Sequence, residues 1–208
     1  MKRAAVVFIL AGVASAQQSI SIPTQDGGMI SADLYGKGER GVVLAHGGRF
    51  NKVSWKNQAQ TLVAAGLRAL AIEYRGVEEG RRFDILAAAH YLRETGAKSV
   101  SVVGASMGGD YAAEAAEAEP AAIDRLVLLA SGAYTPLIKM KGPKLFILAR
   151  DDANAEGPRL PKIRMQYEKA AQPKKLILLD GSAHAQFLFE TDQGQRLMQE
   201  ILRFLTVE

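Results

Sequence analysis

The chain contains no cysteine. That absence excludes disulfides, thiolate metal centres and a cysteine nucleophile, and leaves the redox compartment undetermined. Histidine is scarce, so a search for an imidazole base has three candidates, His46, His90 and His184. No phosphate-binding glycine loop, dinucleotide fingerprint or metal-ligand spacing is present, and no cofactor is expected. Repeats, low-complexity tracts and linkers are also missing, which makes one domain the natural reading of 208 residues that are 48% hydrophobic.

Long apolar runs are missing as well. A membrane-spanning helix needs roughly 20 apolar residues, and the run from Ala4 to Val13 is far shorter. It follows Lys2 and Arg3 and precedes Ala14-Ser15-Ala16, the order of a secretory signal peptide with a small-residue cleavage site. Residues 1–16 are therefore expected to be removed, leaving residues 17–208 as a single secreted or periplasmic domain. The leader carries two cations of a net charge of +4. What remains gives no electrostatic argument for nucleic acid or an anionic membrane as a partner, and the oligomeric state is not readable.

Beyond the leader, "QSISIPTQDGGMISADLYGKG" predicts two alternating strands joined at Asp26-Gly27-Gly28. The pattern then changes to short continuous apolar runs: "GVVLAHG", "LRALAIEYRG", "SVSVVGAS", "IDRLVLLAS", "GPKLFILAR" and "KKLILLDG". Helical stretches are expected around Trp55 to Ala65, Arg82 to Glu94, Met107 to Ala118, Pro158 to Ala171 and Gln193 to Leu205. Runs of this kind alternating with helices predict an α/β fold: about eight strands, mostly parallel and buried on both faces, with an N-terminal antiparallel hairpin.

Gly104-Ala105-Ser106-Met107-Gly108 matches G-x-S-x-G between a strand and a helix, where a tight corner lifts the serine above the sheet. A serine hydroxyl needs a base. His46 precedes two glycines and is expected to shape a loop, while His90 falls within a helix. His184 follows the last strand in a small-residue loop, at the same sheet edge as Ser106, and is the candidate base. An imidazole base needs a carboxylate to fix its tautomer. Asp151 and Asp152 directly follow a strand between the serine and the histidine, and both qualify. Trp55 is expected in the core or at its rim, Arg75 on a surface turn, and Arg81-Arg82 at a solvated helix start.

Taken together, "GASMGG", His46-Gly47-Gly48, "YRG", "ILARDD" and "GSAH" in this order resemble the α/β-hydrolase superfamily, among small members similar to dienelactone hydrolases. The resemblance spans nearly all of residues 17–208. It implies that Asp152 is the acid, three residues beyond the small residue Ala149, with Asp151 as the alternative. It also implies an oxyanion hole made by the N–H of Met107 and one from "HGGRF", with Gly48 preferred over Gly47 or Arg49. Dienelactone hydrolases use a cysteine nucleophile, which this chain lacks.

The expected activity is hydrolysis of small carboxylic esters through a Ser106–His184–Asp152 triad and an acyl-enzyme. A peptidase, amidase or thioesterase with the same triad is the alternative, and a non-catalytic binding protein keeping the fold is the rival of another class. Many superfamily members insert a cap domain where this chain has only ten residues, Gly132 to Lys141. No cap and a preference for short acyl chains are therefore expected.

Overall fold

Alternating polar and apolar residues make the first two strands a two-faced ribbon. In the computed structural model, which describes residues 17–132 and 135–207, β1 (Gln18–Pro23) and β2 (Met29–Tyr35) pair antiparallel with Ile20 opposite Ala32 and Ile22 opposite Ile30. The leader expected over residues 1–16 lies outside the described residues.

The chain continues through β3 (Arg40–Ala45), helix α1 (Lys56–Ala64), β4 (Arg68–Glu73), α2 (Arg81–Glu94), β5 (Ser99–Ala105), α3 (Met107–Ala118) and β6 (Arg125–Leu129). Next come β7 (Lys144–Ala149), a minimal hairpin of β8 (Ala153–Asn154) and β9 (Gly157–Pro158), α4 (Leu160–Lys169), β10 (Lys174–Leu179) and α5 (Gly194–Thr206). Eight strands form one sheet in the order β1-β2-β4-β3-β5-β6-β7-β10, parallel from β4 to β10. The strand order reverses at β3, whose neighbours β4 and β5 lead away in opposite directions. Open parallel sheets leave a crevice at such a point, beyond the carboxyl ends of the strands.

Residues of β3 alternate between two cores, as period-2 geometry requires. Val43 and Ala45 pack with residues of α2, α3 and α4 on one face, and Val42 and Leu44 pack with α1 and α5 on the other. Helices therefore cover both faces, which is why the strands read as continuous apolar runs. Trp55 is fully buried in the second core.

The helix expected around Trp55 to Ala65 is present as α1, with a short turn before it, and two other expectations need correction. The stretch beginning near Trp55 is a 3₁₀ turn (Lys52–Trp55) before α1 starts at Lys56, set by the Asn51 side chain accepting from Val53 N–H at 3.0 Å. The helix expected from Pro158 starts two residues later, because Gly157 and Pro158 pair with Ala153 and Asn154 across the small hairpin. Arg75 is not a loose surface residue. Its guanidinium donates to Asp84 at 2.6 Å and to Asp26 at 2.9 Å, tying the β1–β2 turn to α2.

In the interval from Gly132 to Lys141, the described residues 135–141 form no cap. Leu137 and Met140 are fully buried in the core, and the Lys139 N–H donates to Glu117 Oε1 at 2.6 Å. The segment is drawn down onto α3 instead of rising over the sheet edge.

Candidate active site

The β5–α3 corner leaves little room for side chains. A Cβ on Gly104 would sit 2.6 Å from Gly108 O and Gly109 Cα, and one on Gly108 would collide with the carbonyl oxygen of Ala45. With both positions glycine, the chain turns through Ser106 at φ 49° and ψ −119°. A non-glycine residue with such a φ is strained, at a cost of about 1–3 kcal/mol, and here the strain lifts the hydroxyl to the head of α3. Ser106 N–H donates to Leu129 O at 2.8 Å, anchoring the corner to β6.

His184 Nε2 lies 2.8 Å from Ser106 Oγ, and His184 Nδ1 lies 2.7 Å from Asp152 Oδ2. Asp152 is 1% exposed, so its interaction with the ring is little screened by solvent. The structure separates the two adjacent acids. Asp151 N–H donates to Gly181 O at 2.9 Å while its side chain faces solvent, and the next residue turns inward beneath the imidazole. Arg159 N–H closes the small hairpin onto Asp152 O at 2.9 Å. Arg159 Nε approaches Asp152 Oδ1 to 3.3 Å, inside ion-pair range but without hydrogen-bond alignment.

The backbone donors at the crevice are also sorted by the structure. Gly47 N–H is committed to Gln186 Oε1 at 2.8 Å. Among the described residues, the N–H groups of Gly48 and of Met107 have no protein acceptor. Met107 opens α3, where the helix dipole favours negative charge. Gly48 faces it, its Cβ direction 3.7 Å from Met107 Sδ. Arg49, next on the same loop, is exposed and borders the cavity over Ser106.

His46 does not join this group. It is buried, with Nδ1 2.9 Å from Gly47 O and Nε2 3.2 Å from Glu73 Oε1, and it shapes the loop as expected. His90 Nε2 meets Glu119 Oε1 at 2.7 Å between α2 and α3.

Two features had no counterpart in the reading of the sequence, and a third corrects it. Gln186 is 5% exposed, accepts from Gly47 N–H and donates through Nε2 to Ser54 Oγ at 2.5 Å, joining the histidine loop to the loop after β3. Its one sequence signal is its position two residues after His184. Asp110, one turn into α3, accepts from Ser131 Oγ at 2.7 Å, and burial raises its carboxyl above the ordinary range. Arg81 does not start a solvated helix: its guanidinium donates to Tyr111 Oη at 3.2 Å and lies 3.3 Å from Met107 Sδ.

A cavity of about 580 Å³ opens over Ser106 and His184, between the loop after β3 and the β8–β9 hairpin. Phe50 and Phe187, with ring centroids 4.9 Å apart, form one apolar wall. The arrangement can deprotonate a serine hydroxyl, hold the resulting imidazolium against a buried carboxylate, and offer two N–H donors to a developing oxyanion.

A sequence model of the alpha/beta hydrolase family matches residues 42–190. No protein of curated function matches. Among solved structures, the fold is similar to a dienelactone hydrolase from Anabaena variabilis, at 22% identity over 92% of this chain and 97% of that one, with a TM-score of 0.76. It is similar also to an esterase from Pyrococcus furiosus, at 16% identity over 98% and 95%, with a TM-score of 0.77. An esterase from Pyrobaculum calidifontis gives 16% identity over 91% and 85%, with a TM-score of 0.75.

Proposed function

The chain belongs to the alpha/beta hydrolase family, and from that premise we propose that it hydrolyses carboxylic esters of short acyl chains through an acyl-enzyme on Ser106. The observation that carries this reading is the unbroken chain from Ser106 Oγ to His184 Nε2 and from His184 Nδ1 to the buried Asp152. Ser106 Oγ attacks the acyl carbon as His184 Nε2 takes its proton, and Asp152 stabilises the imidazolium. The carbonyl oxygen, now negative, is held by the N–H groups of Met107 and Gly48, each such donor being worth roughly 3–4 kcal/mol. His184 then protonates the departing alkoxide. A water attacks the acyl-enzyme with His184 again as base, and Ser106 recovers its proton as the acid leaves.

The small neighbours of similar fold that are themselves esterases or a dienelactone hydrolase favour ester chemistry over the peptidase, amidase and thioesterase alternatives. The short-chain preference rests on the ten-residue interval from Gly132 to Lys141, of which the described residues 135–141 pack against the core through Leu137 and Met140 and do not roof the cavity. Without a cap, little apolar surface is available to bury a long acyl chain at about 0.8 kcal/mol per methylene.

The test is a series of p-nitrophenyl esters from acetate to palmitate. The expected kcat/KM maximum falls between roughly two and six carbons, with no activation at lipid interfaces. A maximum at about twelve carbons or longer overturns the short-chain argument. Absence of both hydrolysis and fluorophosphonate labelling removes the serine hydrolase reading and favours a binding protein.

Gln186 supplies a further expectation. Gln186→Met leaves the buried Gly47 N–H without an acceptor, a defect of about 1–3 kcal/mol, and frees the loop that carries Gly48 to move relative to His184. Ester kcat should fall about tenfold or more with little change in KM, because the loss is felt where the oxyanion forms. Gln186→Glu keeps an acceptor for Gly47 and should retain more activity than the methionine variant. Wild-type kcat in Gln186→Met would show that the amide bridge has no part in positioning the donors.

A further inference from the structure

The low net charge of the chain is an average over an uneven distribution. Residues 138–175 hold ten Lys and Arg against four Asp and Glu, a larger excess than the +4 of the whole chain. Lys144 and Lys174 open β7 and β10 and are register partners across that parallel pair. Lys139, Lys141 and Lys169 stand exposed on the adjoining segments, where Ala171 N–H donates to Leu137 O at 3.0 Å and holds the stretch before β7 against the end of α4.

Ion pairs do not neutralise this cluster. Among the described residues, none of the five lysines has a carboxylate within ion-pair distance. Lys141 Nζ donates to Ile138 O at 3.2 Å, Lys174 Nζ to Glu168 O at 2.8 Å and Ala170 O at 2.9 Å, and Lys144 Nζ inward to Met140 O and Gly142 O. The neighbouring acids are otherwise engaged: Glu117 accepts from Lys139 N–H at 2.6 Å, and Glu200 is paired with Lys175 and Arg203. Glu168 is the one acid of residues 160–175. Like charges gathered with so little counter-charge repel one another, and an external anionic surface relieves that repulsion.

The layout selects the kind of anion. The ammonium groups reach carbonyls of different residues and do not converge on one point, which suits an extended charged surface better than a single phosphate. Ile138 is 54% exposed among them, an apolar side chain able to enter a headgroup boundary. Tyr167, the one aromatic residue of α4, has its ring occupied by Lys174 Nζ at 4.9 Å from the centroid and by the Phe146 ring at 5.4 Å, so it is not free to stack on a nucleic-acid base.

We infer that this end of the molecule docks on an anionic lipid surface through Lys139, Lys141 and Lys169, with Ile138 at the headgroup boundary and Lys144 and Lys174 adding to the field behind them. The topology sets the orientation. Asp152 and His184 follow the carboxyl ends of β7 and β10, whereas the lysines cluster at the amino ends, six residues or about 20 Å away along each strand. A docked molecule therefore turns the cavity over Ser106 toward solution. The inference does not depend on the ester hydrolase reading.

The experiment is co-sedimentation of the full chain with vesicles of phosphatidylcholine alone or of phosphatidylcholine mixed with phosphatidylglycerol, at low and raised salt. Apparent affinity should be about tenfold or more higher for the anionic vesicles and should fall as salt is raised. The triple variant Lys139→Gln/Lys141→Gln/Lys169→Gln should lose about tenfold or more of that affinity, with thermal unfolding confirming that it is folded. Wild type and variant share residues 1–16, so the difference between them reads the lysines alone. Ile138→Ser should weaken anionic binding several-fold and keep its salt dependence.

Equal binding to the two kinds of vesicle overturns the inference, as does anionic binding undiminished in the triple variant. Binding of inorganic phosphate or of a DNA oligonucleotide that is lost in the triple variant, with no preference for anionic vesicles, overturns it in favour of a different anion. Unchanged vesicle affinity in Ile138→Ser overturns the placement of that residue in the headgroup boundary.

Discussion

Replacing Ser106 with alanine is expected to lower ester turnover by roughly 10⁴- to 10⁶-fold while the protein stays folded. The size follows from how the site is built. His184 and Asp152 can raise the nucleophilicity of a hydroxyl at Ser106, and with the hydroxyl gone they have nothing to activate, so the three side chains act as a unit and their losses do not add. The residual rate comes from the Met107 and Gly48 donors and from substrate binding alone. Folding should be little affected, because the hydroxyl's partner is the ring Nε2 of a half-exposed His184 and the backbone anchor from Ser106 N–H to Leu129 O is kept. The measurement is steady-state kinetics on a short ester beside thermal unfolding and fluorophosphonate labelling. A variant with more than about a tenth of wild-type turnover and unchanged unfolding would remove Ser106 from the nucleophile's role.

That serine was legible because its signal is local. The glycine two residues before it is demanded by contacts within the corner itself, the one two residues after it by the neighbouring strand β3, and the pair shows in sequence as G-x-S-x-G; the helix beginning at Met107 is read from the residues that follow. The parallel sheet was legible for a similar reason: Val42 to Ala45 or Leu126 to Leu129 are apolar at every position because each face meets a different layer of helices. His184 could be placed at the serine's edge of the sheet from topology, since loops after parallel strands emerge together.

Part of what the sequence concealed depends on distant partners, and part on local geometry without a periodic signal. Arg75 looks solvated until Asp26, 49 residues away, and Asp84 are brought to it. Gln186 has the composition of any polar loop residue, yet its partners Gly47 and Ser54 lie 139 and 132 positions off. Lys144 opens β7 fully buried because its ammonium reaches the carbonyls of Met140 at 2.8 Å and Gly142 at 2.6 Å; burial pushes its pKa down to about 8. The β8–β9 hairpin was invisible because two-residue strands have no periodicity to detect, and it is the element that delivers Arg159 to the cavity.

The choice between the paired acids shows the same division. Nothing in "RDD" distinguishes Asp151 from Asp152, and family resemblance chose Asp152 through Ala149. The geometry gives the physical reason: Asp151 N–H is fixed to Gly181 O, so its side chain points to solvent, and the following residue faces inward at 2.7 Å from His184 Nδ1. Asp152→Asn should therefore lower kcat by about 10⁴, as in the serine-protease precedent. An amide at that position can donate to Nδ1, holding the ring in the tautomer whose proton sits on Nε2, where it cannot accept from Ser106, and it cannot stabilise the imidazolium. Asp151→Asn, on an exposed side chain, should leave kcat within about twofold, as expected of a surface change away from such features. Kinetics of both variants on one short ester decide the matter, with unfolding curves confirming that each is folded. Equal or reversed losses would transfer the role to Asp151, leaving Ser106 and His184 in place and requiring the β7 end to adopt a turn in which the first aspartate faces inward.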